Sequence, residues 1–150
     1  MKAIVECLKG TKEKYELTPD GSSFVLDRML KRKWIANYGF IPYTLQADGD
    51  GLDCYIIGKA KQAEVVDGLP ICLIRCIDNM QVDDKLVCIA PTARGNIKWT
   101  VKKIFRFVRK YKKNCFPVCI TWKDSNIRYE IAKCRAYYKI FRGGDSKCLY

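Results

Sequence analysis

The sequence predicts an α+β protein weighted toward β, a small barrel with helices packed outside it. Three observations lead there. Short apolar runs with period-two alternation crowd the first ninety residues. Apolar residues at helical spacing come only afterwards. Neither a repeat nor a linker interrupts the 150 residues, so 1–150 is expected to be one domain.

In chain order, Ala3 to Leu8 reads as a strand with Glu6 among apolar neighbours. A carboxylate there is costly unless paired, liganded or facing water. Lys14 to Leu17 is the second strand; alternation puts Lys14 and Glu16 on one face and Tyr15 on the other. Thr18-Pro19-Asp20-Gly21 is a turn, so Phe24 to Leu30 forms a hairpin with that strand. Arg28 interrupts it, either snorkelling to the surface or offering a donor fork to phosphate oxygens. Trp34 to Pro42 reads as a compact aromatic loop entering a short strand, with Tyr38 as buried filler or hydroxyl donor. Asp53 to Ile57, Ile71 to Ile77, Lys85 to Ile89 and Phe116 to Trp122 complete the strands. From Ile97, the apolar positions Val101, Ile104, Phe105, Val108 and Tyr111 make one helical face, and a second amphipathic helix covers Ile127 to Tyr138. Arg142 to Tyr150, with Gly143-Gly144, carries little pattern and is expected to be mobile.

Composition narrows the function classes. No apolar run approaches the ~18 residues of a membrane span, and no leader with a cleavage site opens the chain, so a soluble cytoplasmic protein is expected. Nine cysteines are an odd number in a chain with enough aliphatic residues to fold without staples, which favours reduced core thiols. Histidine and Cys-x-x-Cys pairs are both absent, which argues against structural zinc. The formal charge of +12 favours polyanionic partners: nucleic acid, an acidic membrane surface or a phosphate-rich small molecule. Two thirds of that excess lies between Asn96 and Cys115, which holds Lys98, Lys102, Lys103, Arg106, Arg109, Lys110, Lys112 and Lys113 and no acid.

Asp48-Gly49-Asp50-Gly51-Leu52-Asp53 is the chemical centre, with three carboxylates in six residues and glycines that let the backbone fold them together. Two such charges about 4 Å apart repel by roughly 4 kcal/mol at an effective dielectric near 20, so the cluster calls for a cation. Taken alone, the stretch equally describes an exposed Asp-Gly turn. A calcium-binding helix-loop-helix is excluded, because counting from Asp48 places Leu52 and Lys59 where oxygen ligands are required. Asp78 to Asp84 forms a second acidic cluster between two strands.

The order of these fragments, Glu6, Lys14-Tyr15-Glu16, Phe24 to Arg28, Asn37 to Pro42, the Asp48 stretch, Asp78, Asp83-Asp84-Lys85 and Tyr111-Lys112, resembles the soluble family I inorganic pyrophosphatases from Val5 to about Trp122. The resemblance implies a five-stranded barrel of the oligonucleotide-binding (OB) type. It also implies hydrolysis of diphosphate with several Mg2+ ions per active site, Mn2+ being a substitute. Carried over by position, Asp48, Asp53, Asp78 and Asp83 look like direct metal ligands, Glu16 holds a last metal and Glu6 acts through waters. Asp50 looks like the general base, and Tyr38 like a hydroxyl steadying nucleophile or substrate. Lys14, Arg28, Lys85, Tyr111 and Lys112 look like a phosphate clamp. A homo-oligomer is implied as well, although a short Pro91 to Ile97 connection departs from the family. Trp34-Ile35 stands where the family has tyrosine and proline, and Asn79 where it commonly has an acid; altered packing or weaker metal affinity is expected. The residue chemistry agrees, since hydroxide attack on diphosphate is opposed by repulsion until cations neutralise its oxygens, and oxygen-only ligands suit hard Mg2+. Two rival readings are a basic barrel binding single-stranded nucleic acid, with Trp34, Trp99 or Phe107 as stacking faces, and a weakened homologue that binds phosphate without turnover.

Overall fold

The computed structural model describes residues 1–111 and 114–142, Tyr111 through its backbone alone. The expectations for Lys112, the Tyr111 side chain and the tail beyond Arg142 therefore lie outside the described residues. Strands β1 (Lys2–Cys7), β2 (Glu13–Leu17), β3 (Phe24–Met29), β4 (Asn37–Ile41), β5 (Leu52–Ile57), β6 (Val65–Asp67), β7 (Leu69–Asp78), β8 (Gln81–Val82) and β9 (Lys85–Ile89) precede helix α1 (Ile97–Tyr111). Strand β10 (Cys115–Thr121) and helix α2 (Asp124–Arg142) follow.

The main sheet runs β10-β7-β9-β5-β4-β1-β6, with β8 attached to β7, while β2 and β3 form a separate hairpin. The mostly-β class with two helices is as expected. The path β7-β9-β5-β4-β1 is extended at both ends, and its hydrogen bonds do not close into a ring among the described residues. Strand β6 was not anticipated, because a three-residue strand with one inward side chain leaves almost no periodic signal. β5 and β9 pair in parallel and the other neighbours antiparallel, so Asp53 and Lys85 come from adjacent strands far apart in sequence.

Both faces of the sheet are apolar, which explains why β5, β7 and β9 read as nearly continuous hydrophobic runs. On one face Tyr55, Ile57, Cys72, Ile74 and Val87 pack with Trp34 and with Val101, Ile104, Phe107 and Val108 of α1. On the other, Leu52, Cys54, Ile56, Leu73, Leu86 and Cys88 pack with Ile127, Ile131 and Cys134 of α2. Asn96 caps α1 by accepting the Trp99 N–H at 3.0 Å, and the basic pair Arg109 and Lys110 lies at its negative end.

Close strand approach is enforced at Gly39, where an added Cβ would collide with the Ile4 carbonyl of the neighbouring strand. Gly39→Ala is expected to destabilise the fold by about 3 kcal/mol, read as a lower urea midpoint, since backbone cannot yield as a side-chain tip does. The eight described cysteines are all free and only Cys119 is exposed. Burial pushes the Cys7, Cys72 and Cys134 thiols up to about 12, leaving little thiolate at neutral pH. Alkylation of the native protein followed by peptide mapping should therefore mark Cys119 among these eight, and the others only after denaturation.

Candidate active site

A cavity of about 540 Å³ opens between the β2–β3 hairpin, the Asp48 loop and the centre of the sheet. Alternation along β5 aims Asp53 and Tyr55 to one side while Leu52, Cys54 and Ile56 enter the opposite core. The cross-strand pairs Tyr38–Tyr55 and Phe40–Asp53 bring β4 side chains to the same wall. β1 contributes Glu6, β2 contributes Lys14 and Glu16, the link between β8 and β9 contributes Asp83, and the first residue of β9 is Lys85. The Asp48 loop is folded by its own polar groups: Gly49 has φ +92°, Asp48 accepts the Asp50 N–H at 3.0 Å, and Gln46 N–H donates to the Asp50 carbonyl at 2.8 Å. Nine of the predicted residues thus meet around one space: Glu6, Lys14, Glu16, Tyr38, Asp48, Asp50, Asp53, Asp83 and Lys85.

Their charges are strongly coupled. Lys85 is buried and bridges Asp53 and Asp83, the latter at 2.5 Å. Burial works against its charge, but the two carboxylates outweigh it and hold the ammonium well above its ordinary range. Burial and the surrounding carboxylates raise Asp83 to about 6, even against the pull of Lys85. Burial lifts Glu6 to about 8, partly offset by the Leu17 N–H that donates to it at 3.2 Å. Asp50 is raised by burial and then by Asp48 and Asp53. Lys14 pairs with Glu16, and with Asp27 at 3.2 Å. Tyr38 is buried, with burial first and the nearby Asp53 carboxylate next holding its hydroxyl proton more tightly, and its ring stacks on Trp34 at 4.8 Å with 16° between planes. Among the described residues no three acids or thiols form a ready-made cation cage.

The family described as inorganic pyrophosphatase matches residues 3–139. The chain belongs to that family. A curated inorganic pyrophosphatase of Halobacterium salinarum is 35% identical over 91 residues, 58% of this chain and 51% of the relative. A soluble inorganic pyrophosphatase of Oryza sativa is 35% identical over 127 residues, 74% of this chain and 58% of the relative. The matches to these two relatives therefore span little more than half of the relatives' own length. In fold, the pyrophosphatase structure from Neisseria gonorrhoeae superposes with a TM-score of 0.83 at 23% identity, covering 93% of this chain and 91% of that one. The Thermus thermophilus structure gives 0.81 at 24%, with the same coverage.

Two predicted residues of this pyrophosphatase-family chain stand outside the cavity wall. Arg28 lies on the hairpin, 3.5 Å from Asp27. Asp78 ends β7 and is buried; β7 and β8 pair up to Asp78–Gln81, and the Asp83 N–H then returns to the Cys76 carbonyl at 3.0 Å, so both acids flank one tight turn. Asn79 occupies that turn with φ 47°, a left-handed position that asparagine adopts readily, and accepts a bond from Asn114 at 3.1 Å. Trp34 does not line the cavity. It backs Tyr38 from the core, and its indole N–H donates to the Glu13 carbonyl at 2.9 Å.

Other contributors escaped the sequence reading. Thr44 accepts the Leu52 N–H at 2.8 Å, and Gln46 donates to Asp83 at 3.5 Å; both are buried polar residues just before the Asp48 loop. Arg142 reaches back from the end of α2 to the Gly49 carbonyl at 3.0 Å. Only the tertiary fold brings that end to the loop.

Proposed function

We propose that this cavity binds inorganic diphosphate and hydrolyses it to two phosphates with Mg2+. The observation that carries the reading is that four separate segments, around Glu6, Glu16, Asp48 to Asp53 and Asp83, send carboxylates into one space that also holds two lysines. Such a set has no use for a neutral ligand and would repel an anion without metal.

The donor chemistry fits magnesium, since every candidate ligand is a carboxylate oxygen, and burial together with neighbouring carboxylates raises the proton affinity of Glu6 and Asp83, a charge conflict that a cation would relieve. Asp48, Asp53 and Asp83 would hold the ions, with Glu16 and Glu6 completing the set. When bound, Mg2+ neutralises diphosphate oxygens and acidifies the attacking water. Asp50 takes the proton from that water; its raised affinity for protons suits the task. The Tyr38 hydroxyl, fixed by Trp34 behind it, orients the attacking oxygen or the phosphate it approaches. Lys14 and Lys85, which line the cavity, stabilise the charge that collects on the departing phosphate. Water is the nucleophile, so no covalent intermediate is required.

The experiment is phosphate release from diphosphate across a Mg2+ titration, with thermal unfolding followed in parallel. At one hundred times its dissociation constant, Mg2+ is expected to stabilise the fold by about 2.7 kcal/mol. Asp48→Asn combined with Asp83→Asn should abolish most of that gain. A midpoint that ignores Mg2+, together with no phosphate release, would defeat the reading.

A further inference from the structure

We infer that the outer face of α1 is a binding surface for single-stranded nucleic acid, separate from the cavity. Lys98, Lys102, Lys103, Arg106, Arg109 and Lys110 are all exposed, and the helix contains no acidic residue. Among the described residues none of the six takes part in an ion pair. Lys98, Lys102, Arg106 and Lys110 recur every four positions and so form one line along the helix. Like charges at that spacing weaken a helix. The line is thus not explained by the stability of α1.

The charge density matches a phosphate chain. Twelve residues of helix separate Lys98 from Lys110, about 18 Å, so six cations stand one per roughly 3 Å. A nucleic-acid strand carries one phosphate per ~3.4 Å. A second basic run follows Leu30, which packs against the core cluster that α1 also enters: Lys31, Arg32 and Lys33 are exposed and outside every ion pair among the described residues.

Trp99 favours nucleic acid over other polyanions. It is 53% exposed on this face, and the Lys103 ammonium lies 3.3 Å from the centre of one side of its ring. The pair offers a base the opposite ring face and its phosphate a cation. An acidic membrane surface fits less well, since the apolar stripe of α1, Val101, Ile104, Phe107 and Val108, is spent on the core and has nothing to insert.

The test is fluorescence anisotropy of a labelled oligothymidylate with the intact protein from 50 to 200 mM salt. Six contacts predict a slope of log K against log salt near about −4, a loss of about 300-fold over that range. Lys98→Gln, Lys102→Gln and Arg106→Gln together should reduce the slope to about −2 and the loss to about 20-fold. Trp99→Ala should weaken binding about tenfold with the slope unchanged. All these variants should keep the wild-type rate of phosphate release from diphosphate and the wild-type circular dichroism. The inference is overturned by wild-type binding that is undetectable at 50 mM salt or by a triple variant with the wild-type slope. It is equally overturned if phosphatidylserine vesicles bind while the oligonucleotide does not, or if Trp99→Ala binds as tightly as wild type.

Discussion

Asp50→Asn is expected to slow phosphate release from diphosphate by about a hundredfold to ten-thousandfold, the range associated with losing a positioned general base. Asparagine keeps the size of the side chain, and the backbone N–H that Asp48 accepts at 3.0 Å is untouched, so the loop retains its shape. What disappears is the basic oxygen, which burial and the Asp48 and Asp53 charges have made a better proton acceptor than an ordinary aspartate. Asp124→Asn is the control. Asp124 is exposed at the start of α2, where it pairs with Arg128 at 2.6 Å. Exposed pairs of this kind contribute little. Equal, undiminished rates in the two variants would remove Asp50 from the reaction.

The second large effect lies in the scaffold. Arg75 projects from β7 toward α2, where its guanidinium meets Asp84 and, at 3.1 Å, Glu130. Both carboxylates have side chains only 2% exposed, and Asp84 also accepts the Cys76 N–H at 3.0 Å. Burial alone would favour protonating Asp84, and the Arg75 guanidinium opposes that shift without cancelling it. Arg75→Ala would leave Asp84 without its cation and Glu130 with Lys133 alone. Breaking one partner out of a buried ionic set costs about 3–5 kcal/mol. That corresponds to a melting temperature lower by roughly 6–20 °C in a protein of this size. Calorimetry on Arg75→Ala and Arg75→Lys is the check: lysine keeps the charge but not the fork, and should recover part of the loss. An alanine variant melting within about 2 °C of wild type would show that the network carries no net stability.

The elements with strong periodicity were legible from residues alone. The lower face of α1 and the runs of β5, β7 and β9 declare themselves because apolar spacing follows directly from helical and strand geometry. The acidic and basic site residues were legible through their order along the chain, and nine of them converge. Three things were not. β6 is too short to repeat, the bridge of Lys85 between Asp53 and Asp83 depends on a parallel pairing across 32 residues of sequence, and the network of Arg75, Asp84 and Glu130 joins a strand, a loop and helix α2. Arg75 is the one charge in the apolar run Ile71 to Ile77, but nothing in that run points to its partners. Trp34 shows the same limit: an indole where a phenol is usual is evident from the residues alone, yet only packing reveals that it supports Tyr38 from behind.

The parallel contact of β5 with β9 has a kinetic side. Asp53 and Lys85 become neighbours through a parallel pairing that requires the chain to pass through β7, which pairs antiparallel with β9, so completing the cavity depends on non-local closure. Chains dominated by such pairings refold in milliseconds to seconds. In a stopped-flow refolding experiment, turnover should return together with the near-ultraviolet signal of Trp34 and Tyr55, and no earlier compact species should hydrolyse diphosphate.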